Sequence, residues 1–337
     1  MKNKLTISDI AKAAGVSKTA VSFVLNNKDG ISDKTRQKVL EVIKQTNYRP
    51  TMNSKRLFFQ KSFTIAVLFD ETSHRFDNLF YLDIMSALLK RCTAFNYSLV
   101  YSEYRFIDGV VTLPDNVLDK DVDGLVFLKD IPTALITTLQ NLDIPFVIAD
   151  AHAVHEGLYT VNVDYRLAAY TAVKYLLAQG HRRVGFVGNT QLPAFYSQVF
   201  SGYREALEES GLTVNPAWCF DSISNRETTE QHIGQLLTQK ELPTAMFCME
   251  DVLAIALIRY LQKSKISVPD DISVIAIDDI LLSNEIYPGL TTVAIDKDQL
   301  GSSAIDILMN LIGQKPTGSV SMTATDIVVR ESVKAIL

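Results

Sequence analysis

The chain is poor in cysteine and in long apolar runs. Its 3 cysteines among 337 residues, Cys92, Cys219 and Cys248, are odd in number and widely spaced. Such a set does not build a disulfide framework and is typical of a reduced compartment. No apolar run approaches the roughly 18 residues of a membrane-spanning helix, and no apolar signal segment precedes the first predicted helix. We therefore expect a cytoplasmic protein without a membrane partner.

Recognisable catalytic and metal-binding patterns are also missing. The 5 histidines show no ligand spacing with a cysteine or an acid, so we predict no metal site. Gly185 and Gly188 alone do not make a glycine-rich phosphate loop, and no nucleophile–base pair can be read from the sequence. These absences predict no cofactor and disfavour an enzyme.

Charge is divided unevenly along the chain. The first 61 residues hold 13 Lys and Arg against 4 Asp and Glu, a net charge of +9, whereas the remainder holds 20 against 34, a net charge of −14. A basic head on an acidic body indicates that the head alone binds a polyanion. A length of 337 residues also exceeds one ordinary core, so two or three domains are expected.

Residues 6–26 predict two short helices separated by a sharp turn. Thr6 and Asp9 form a capping-box pattern at the first helix, and Ser17 suits the N-cap of the second. Gly15 supplies the positive φ that the turn requires. This is the pattern of a helix-turn-helix, whose second helix would enter the DNA major groove. The alternative is an ordinary αα-corner, which the basic charge of the segment disfavours.

A third helix is predicted after Ser32. Together with Tyr48 it completes a small core, with an apolar stripe formed by Val39, Leu40 and Ile43. Pro50 ends any continuing helix. The polar segment that follows could form only a two-turn helix, which is marginal by itself and would fold when DNA and a second subunit supply contacts. A flexible linker is the alternative for this segment.

From Phe63 onward, apolar strand runs alternate with amphipathic helices. Strands are predicted at residues 63–69, 97–101, 124–128, 145–149, 183–188, 217–220, 245–248 and 273–277, and helices at residues 81–94, 167–178, 202–210 and 252–263. This alternation predicts parallel sheets covered on both faces, in two doubly wound subdomains.

Acidic residues follow several of these strands. Ligands of doubly wound folds lie at the carboxyl ends of the strands, and the acids predicted there are Asp70, Asp150, Glu250, Asp251, Asp278 and Asp279. Any one of them could simply cap a helix. As a group they predict a polar cleft between the subdomains.

The sequence resembles the LacI/GalR family of bacterial transcription regulators over essentially its whole length. The matching segments follow the family's order at residues 10–17, 21–26, 47–50, 180–184, 268–274, 278–279, 290–293 and 328–332. The resemblance implies an N-terminal all-α helix-turn-helix headpiece. It also implies an α/β core like that of periplasmic sugar-binding proteins, built from two doubly wound parallel-sheet subdomains.

The same resemblance implies domain boundaries. They are a headpiece at 1–49, a hinge helix or linker at 50–61, and an effector-binding and dimerisation core at 62–337, with an N-subdomain at about 62–162 and 294–322 and a C-subdomain at about 163–293 and 323–337. Leu57 matches the hinge leucine that wedges into a minor-groove step. The 5 residues after Ser332 are too few for the heptad helix that tetramerises some members, so we expect a homodimer.

The resemblance carries DNA-binding roles onto named positions. The residues expected at DNA are Thr6, Ser17, Lys18, Thr19, Ser22, Phe23, Asn26, Thr51, Ser54, Lys55 and Leu57. Lys18 can address guanine O6 or N7, and Thr19 can donate a hydrogen bond or contact a thymine methyl group. Ser17 and Ser22 are expected toward phosphate. Phe23 stands where many relatives have a base-contacting arginine, so operator preference should differ.

The implied effector pocket departs more from the family pattern. Its expected residues are Asp70, Phe76, Asn78, Phe80, Tyr81, Asp164, Val199, Glu250, Asp251 and Asp278. Val199 replaces an arginine that sugar-binding relatives commonly carry, and Glu250 replaces a usual asparagine. Asp164 and Asp278 keep the family's acids. Three carboxylates without a cation at the matched positions favour a donor-rich ligand and disfavour phosphorylated sugars and free acids.

We therefore predict a sequence-specific repressor that binds a pseudo-palindromic operator under the control of a small effector. A neutral sugar is the first choice of effector, and a nucleoside or an amine is the alternative. A ligand-binding protein of the transport-receptor type is disfavoured by the basic head and the missing signal segment. An enzyme of the doubly wound class is disfavoured by the missing catalytic patterns.

Overall fold

The computed structural model describes residues 5–25, 30–46, 48, 61–71, 78–153, 155–220, 234–236 and 238–336. The chain divides into two compact units, Met1–Phe63 and Thr64–Leu337, and each is described by itself. No helix within the described ranges is long and apolar enough to cross a membrane.

The first unit contains three helices, α1 (Ile7–Ala14), α2 (Lys18–Leu25) and α3 (Asp33–Thr46). The predicted capping box is present at α1, where the Asp9 amide donates to Thr6 Oγ1 at 3.3 Å and the Thr6 amide donates to Asp9 Oδ2 at 2.8 Å. Gly15 follows α1 with a φ of 62°. Ser17 Oγ accepts from the Ala20 amide at 3.1 Å and so caps α2. Local sequence signals therefore account for this turn.

The core of this unit differs from its prediction at one position. Ile10, Val21, Val39 and Tyr48 are buried together, but Leu40 is 50% exposed. The helical period places the residues three and four positions after Val39 on its own face, so Val42 and Ile43 complete the stripe.

The second unit alternates strands and helices along the chain. Its strands are β1 (Thr64–Asp70), β2 (Ser98–Ile107), β3 (Val110–Thr112), β4 (Gly124–Phe127), β5 (Phe146–Ala149), β6 (Thr160–Val163), β7 (Val184–Val187), β8 (Cys219–Phe220), β9 (Ala245–Cys248), β10 (Ser273–Asp278), β11 (Thr291–Ala294), β12 (Val320–Met322) and β13 (Ile327–Val328). Its helices are α4 (Leu79–Ala94), α5 (Asp115–Leu118), α6 (Thr133–Leu142), α7 (Tyr165–Ala178), α8 (Pro193–Glu209), α9 (Asp251–Lys263), α10 (Leu282–Glu285) and α11 (Lys297–Ile312).

These strands form two sheets that are parallel except at one edge of each. The first sheet has the order β12-β6-β5-β4-β1-β2-β3, and the second has the order β13-β11-β10-β9-β7-β8. The antiparallel pairs are β2 with β3 and β11 with β13. The chain crosses between the sheets after β6, after β11 and after β12, so three connections join two subdomains. This topology is the two-sheet α/β core that was expected.

Helices cover the sheets by close packing. α4 packs against α11 beside the first sheet, and α7 packs against α8 beside the second. Gly202 lies on α8 at the contact with α7, where an added Cβ would collide with the Arg166 carbonyl oxygen. Glycine is therefore required for this close approach of two helices.

Several element boundaries differ from the predictions. α8 begins at Pro193 and not near residue 202, because proline suits the first turn of a helix. The predicted strand at 217–220 is shortened to β8, because Asn215 accepts from the Ala217 amide and starts a 3₁₀ turn, Pro216–Trp218. β2 extends to Ile107 by pairing with β3, a partner that only the fold supplies.

Candidate functional site

A cavity of about 290 Å³ lies at the carboxyl ends of the strands, between the two subdomains. Its walls come from the ends of β1, β4, β5, β9 and β10 and from the first turns of α4, α7 and α8. The lining residues are Leu68, Phe69, Asp70, Asn78, Phe80, Tyr81, Tyr104, Phe127, Leu128, Lys129, Ile131, Asp150, His152, Tyr165, Asn189, Leu192, Phe195, Glu250 and Asp278.

Asp150 is a carboxylate of the cavity wall that several side chains contact. It follows β5 in a left-handed conformation, with a φ of 56°. Its oxygens accept from the Tyr165 hydroxyl at 2.6 Å and the Tyr81 hydroxyl at 3.2 Å, and His152 Nε2 lies 3.4 Å away. Burial alone would raise the pKa of Asp150, but the charge of His152 and these hydrogen bonds lower it. Asp150 is therefore an ionised hub held by the protein.

His152 joins the two subdomains beside this hub. Its side chain is only 8% exposed, and its ring stacks on Phe195 of α8 with centroids 4.7 Å apart. Its amide donates to the Asp130 carboxylate, and its carbonyl accepts from Gln198 Nε2 at 2.6 Å. Burial opposes the protonated form, but the Asp150 charge raises the pKa of His152 above its usual value. The ring is thus a proton-binding group at the wall of the cavity, and Asp150 favours its protonated form.

Glu250 and Asp278 line the same cavity as Asp150 but differ from it in hydrogen bonding and in the direction of their pKa shifts. Within the described part of the chain, neither carboxylate accepts a hydrogen bond. Burial raises the pKa of Glu250 to about 7. Burial, followed by the charges of Asp251 and Glu250, raises the pKa of Asp278 well above its usual range. The described protein groups leave the oxygens of these two acids unused as acceptors, and the raised pKa values favour their protonated forms.

The backbone at Asp278 is unusual. Asp278 and Asp279 have φ values of 128° and 52°, which L-residues rarely adopt. Lys297 Nζ donates to their carbonyl oxygens at 2.6 and 3.0 Å, so the ammonium holds the turn and does not bond the Asp278 carboxylate. Strain of this kind persists where surrounding contacts enforce it, and it is common at ligand sites.

The structure brings six of the expected effector residues to the cavity wall, namely Asp70, Asn78, Phe80, Tyr81, Glu250 and Asp278. Asn78 Oδ1 also caps α4 by accepting from the Phe80 amide at 3.0 Å. Glu250 stands at the N-cap position of α9 but makes no side-chain capping bond. Its carboxylate is thus available to the cavity.

Three expected effector residues lie elsewhere, and their assignment is corrected. Asp164 caps α7 by accepting from the Leu167 amide at 2.8 Å. Asp251 is fully buried and accepts from the Ile280 amide and from two hydroxyls, those of Ser283 and Thr292. Val199 is buried in α8, away from the cavity wall. The Asp164 carboxylate is used in helix capping, and the Asp251 carboxylate is used in hydrogen bonds to neighbouring elements. Val199 is buried in its own helix.

Other lining residues were not on the expected list. Asp150 was recognised only as a strand-end acid, and His152, Tyr165 and Phe195 gave no signal by spacing. Lys129 and His152 also line the cavity, at positions that the expectation about the matched residues did not cover. Strand ends at 128–130 and 148–150 could have suggested these neighbours, since adjacent parallel strands end together.

The predicted DNA-contacting residues fall into four groups. Thr6, Ser17, Lys18 and Thr19 are exposed in the first unit. Ser22 is 4% exposed, which does not suit the phosphate contact expected of it, because α2 turns this position toward the helical core. Phe23 is partly exposed. The remaining residues of this set lie outside the described residues, namely Asn26, Thr51, Ser54, Lys55 and Leu57. Phe76 of the effector set also lies outside them.

Fold and site together define a class of protein: a helix-turn-helix unit joined to a core of two subdomains, with a cavity between those subdomains. Residues 6–51 match the family described as bacterial regulatory proteins, lacI family. Residues 173–333 match the periplasmic binding protein-like domain.

Two curated relatives extend this likeness over the whole chain. Catabolite control protein A of Priestia megaterium is 30% identical over 318 residues, 94% of this chain and 95% of the relative. The HTH-type transcriptional repressor PurR of Photobacterium profundum is 31% identical over 336 residues, 98% of each chain. The chain therefore belongs to the LacI family and is a DNA-binding transcriptional regulator with an effector-binding core.

Solved structures show the same fold. The lac repressor dimer bound to operator and the anti-inducer ONPF superposes with a TM-score of 0.76 at 24% identity, over 99% of this chain and all of that one. The transcriptional regulator CelR in complex with cellobiose superposes with a TM-score of 0.71 at 24% identity, over 97% of this chain and 99% of that one.

Proposed function

We propose that the protein is a repressor that binds a pseudo-palindromic operator as a homodimer and responds to a small effector in the interdomain cavity. Residues 1–49 would read DNA, residues 50–61 would form the hinge, and residues 62–337 would bind effector and dimerise. Support comes from the capped helix-turn-helix and from relatives named as a repressor and as an operator-bound repressor dimer. Effector binding would change the placement of the subdomains and thereby bias operator affinity.

The observation that carries the effector class is the pair of unused acceptors, Glu250 and Asp278. A buried acceptor gains most from a ligand that donates hydrogen bonds to it. An anionic ligand would instead meet Asp150, whose lowered pKa keeps it charged, and three further lining acids, Asp70, Glu250 and Asp278, against one lining lysine, Lys129. We infer a neutral, donor-rich effector, with a sugar as the first choice. CelR, solved with cellobiose, is a precedent within the same fold.

Calorimetric titration of matched pairs tests this class. Each pair is a sugar and its phosphate, such as glucose with glucose 6-phosphate and ribose with ribose 5-phosphate. We expect the neutral member of a binding pair to bind at least about tenfold more tightly, because the phosphate adds like charge to a partly desolvated site. Tighter binding of the phosphate would contradict the acceptor-pocket argument.

Two substitutions and a control locate the acceptors. Glu250→Gln and Asp278→Asn keep the side-chain shape but replace one acceptor oxygen with a donor, so each should weaken binding of the neutral ligand. Asp83→Asn, on the exposed side of α4, is the matched control and should leave affinity unchanged. Unchanged affinity in both cavity variants would place the ligand elsewhere.

A further inference from the structure

The two acceptors occupy only one side of the cavity. Glu250 and Asp278 follow strands of the second sheet, β9 and β10. The opposite side is built by the first subdomain from the ends of β1 and β4, the start of α4 and the residues next to them. Its apolar lining residues are Leu68, Phe69, Phe80, Phe127, Leu128 and Ile131. We call these six residues the apolar wall.

Several polar groups on the side of the apolar wall already have hydrogen-bond partners in the protein. Asn78 Oδ1 accepts from the Phe80 amide, and the Tyr81 hydroxyl donates to Asp150. Asp150 also receives the Tyr165 hydroxyl and lies beside His152. A ligand group placed there therefore finds few free hydrogen-bonding partners, and apolar contact is what the wall mainly offers.

The apolar wall is also rigidly supported. Leu68, Phe127 and Ile131 belong to the buried core of the first subdomain. The Phe127 ring packs edge to face with the rings of Tyr104 and Phe146, whose centroids lie 6.2 and 6.1 Å from its own. A surface held in this way does not collapse into an empty cavity, so water in contact with it is held poorly. An apolar ligand group that displaces such water gains affinity.

On the basis of the proposed function, we propose that the effector joins an apolar ring to a donor-rich polyol, as in a nucleoside or an aryl glycoside. The polyol would bond Glu250 and Asp278, and the ring would lie on the apolar wall. A cavity of about 290 Å³ is close to the lower end of the range of about 300–1,000 Å³ typical of drug-sized ligands. A free monosaccharide would satisfy the acceptors but leave the wall in contact with water.

Paired compounds test the inference on the full-length protein. The nucleoside arm compares ribose with adenosine and with uridine, and the glycoside arm compares methyl with phenyl β-D-glucoside and β-D-galactoside. Thermal unfolding screens every compound, and calorimetry measures those that shift the midpoint. We expect the ring-bearing member of at least one pair to bind about tenfold or more tightly than its ring-free partner, because ring contact adds buried apolar area.

A wall variant separates ring contact from general affinity. Phe80→Leu should lower the affinity for the ring-bearing compound by about threefold to tenfold, since an aromatic contact is lost. The affinity for the ring-free partner should stay unchanged. Phe106→Leu, on the exposed part of β2, is the control and should change neither. An equal loss for both members of the pair would contradict a ring on the wall.

The outcomes also distinguish this inference from the proposed function. Equal or tighter binding of ring-free sugars would contradict the inference that the effector carries a ring. It would leave the proposal of a sugar-responsive repressor intact. If no ring-bearing compound binds in either arm, the inference is likewise overturned. Failure of the full-length protein to bind any operator sequence would contradict the proposed function itself.

Discussion

Carboxylates of the same cavity are in opposite states because their neighbours differ. Asp150 has two hydroxyl donors and the His152 ring beside it, and its pKa is lowered. Glu250 has no hydrogen-bond donor among the described residues, and burial raises its pKa to about 7. The residue type supplies the titratable group, and the local donors decide its charge. This difference makes Glu250 a proton-linked acceptor at ordinary pH.

Stability should report this linkage at Glu250. A carboxyl whose pKa rises from 4.5 to about 7 on folding holds its proton more tightly in the folded state, so the free energy of unfolding falls as pH rises through that window. Glu250→Gln removes the titration. The free energy of unfolding of the variant, relative to that of the wild type, should therefore rise between pH 4.5 and pH 8, by up to about 3 kcal/mol.

Urea unfolding at several pH values between 4.5 and 8 measures this gain. His152 also loses its contribution as pH rises, because its pKa is raised in the folded state. Because Glu250 itself helps to raise the His152 pKa, the comparison of variant with wild type cancels only the part of this slope that does not depend on Glu250. Glu285→Gln, at an exposed position in α10, is the matched control. Parallel pH curves for Glu250→Gln and wild type would show that the Glu250 proton is not linked to folding.

Elements of the first unit follow local rules. The capping box at α1, the left-handed Gly15 and the cap at α2 are contacts within about one helical turn. They set the start of α2, and with it the exposed position of Lys18 and Thr19 at its first turn. A recognition helix is therefore positioned by its own sequence and by the short helix before it.

Lys18→Ala tests the role of α2. If Lys18 contacts guanine by two hydrogen bonds, the variant should lose roughly 1–3 kcal/mol of discrimination at one position of each half-site. Binding to an operator panel with single-base changes, at fixed salt, measures this loss. Lys44→Ala, exposed near the end of α3, is the control and should leave base preference unchanged. A uniform loss on every sequence would assign Lys18 to phosphate.

At the scale of the whole molecule, the charges and the cores are both divided. The first unit has its own apolar cluster around Ile10, Val21 and Val39. The second unit has separate clusters in its two subdomains. The basic head and the acidic remainder coincide with this division to within a few residues. Operator binding and effector binding should therefore be separable.

Removal of residues 1–61 should separate them. The truncated protein should lose specific operator binding but keep effector binding and its oligomeric state, because its cores do not use headpiece residues. Electrophoretic mobility shift, calorimetry and sedimentation measure these three properties. Specific operator binding by the truncated core would refute the assignment of DNA recognition to the head.

The sequence by itself determined the features that depend on near neighbours. Helix caps, the turn at Gly15, most strand runs and the acids at strand ends were read correctly, because each depends on contacts within a few residues. The rule for doubly wound folds gave the place of the cavity, and the resemblance to a family then supplied the order of the domains.

Only the tertiary structure decided which acids line the cavity. Asp150 meets Tyr165 and Tyr81, which are 15 and 69 positions away, and Asp251 is consumed by partners 29 to 41 positions along the chain. Asp164 was expected in the cavity beside Glu250 but caps a helix, and Val199 is buried in α8. Hydrogen bonding and desolvation depend on distance in space, and a linear pattern of residue types does not specify that distance.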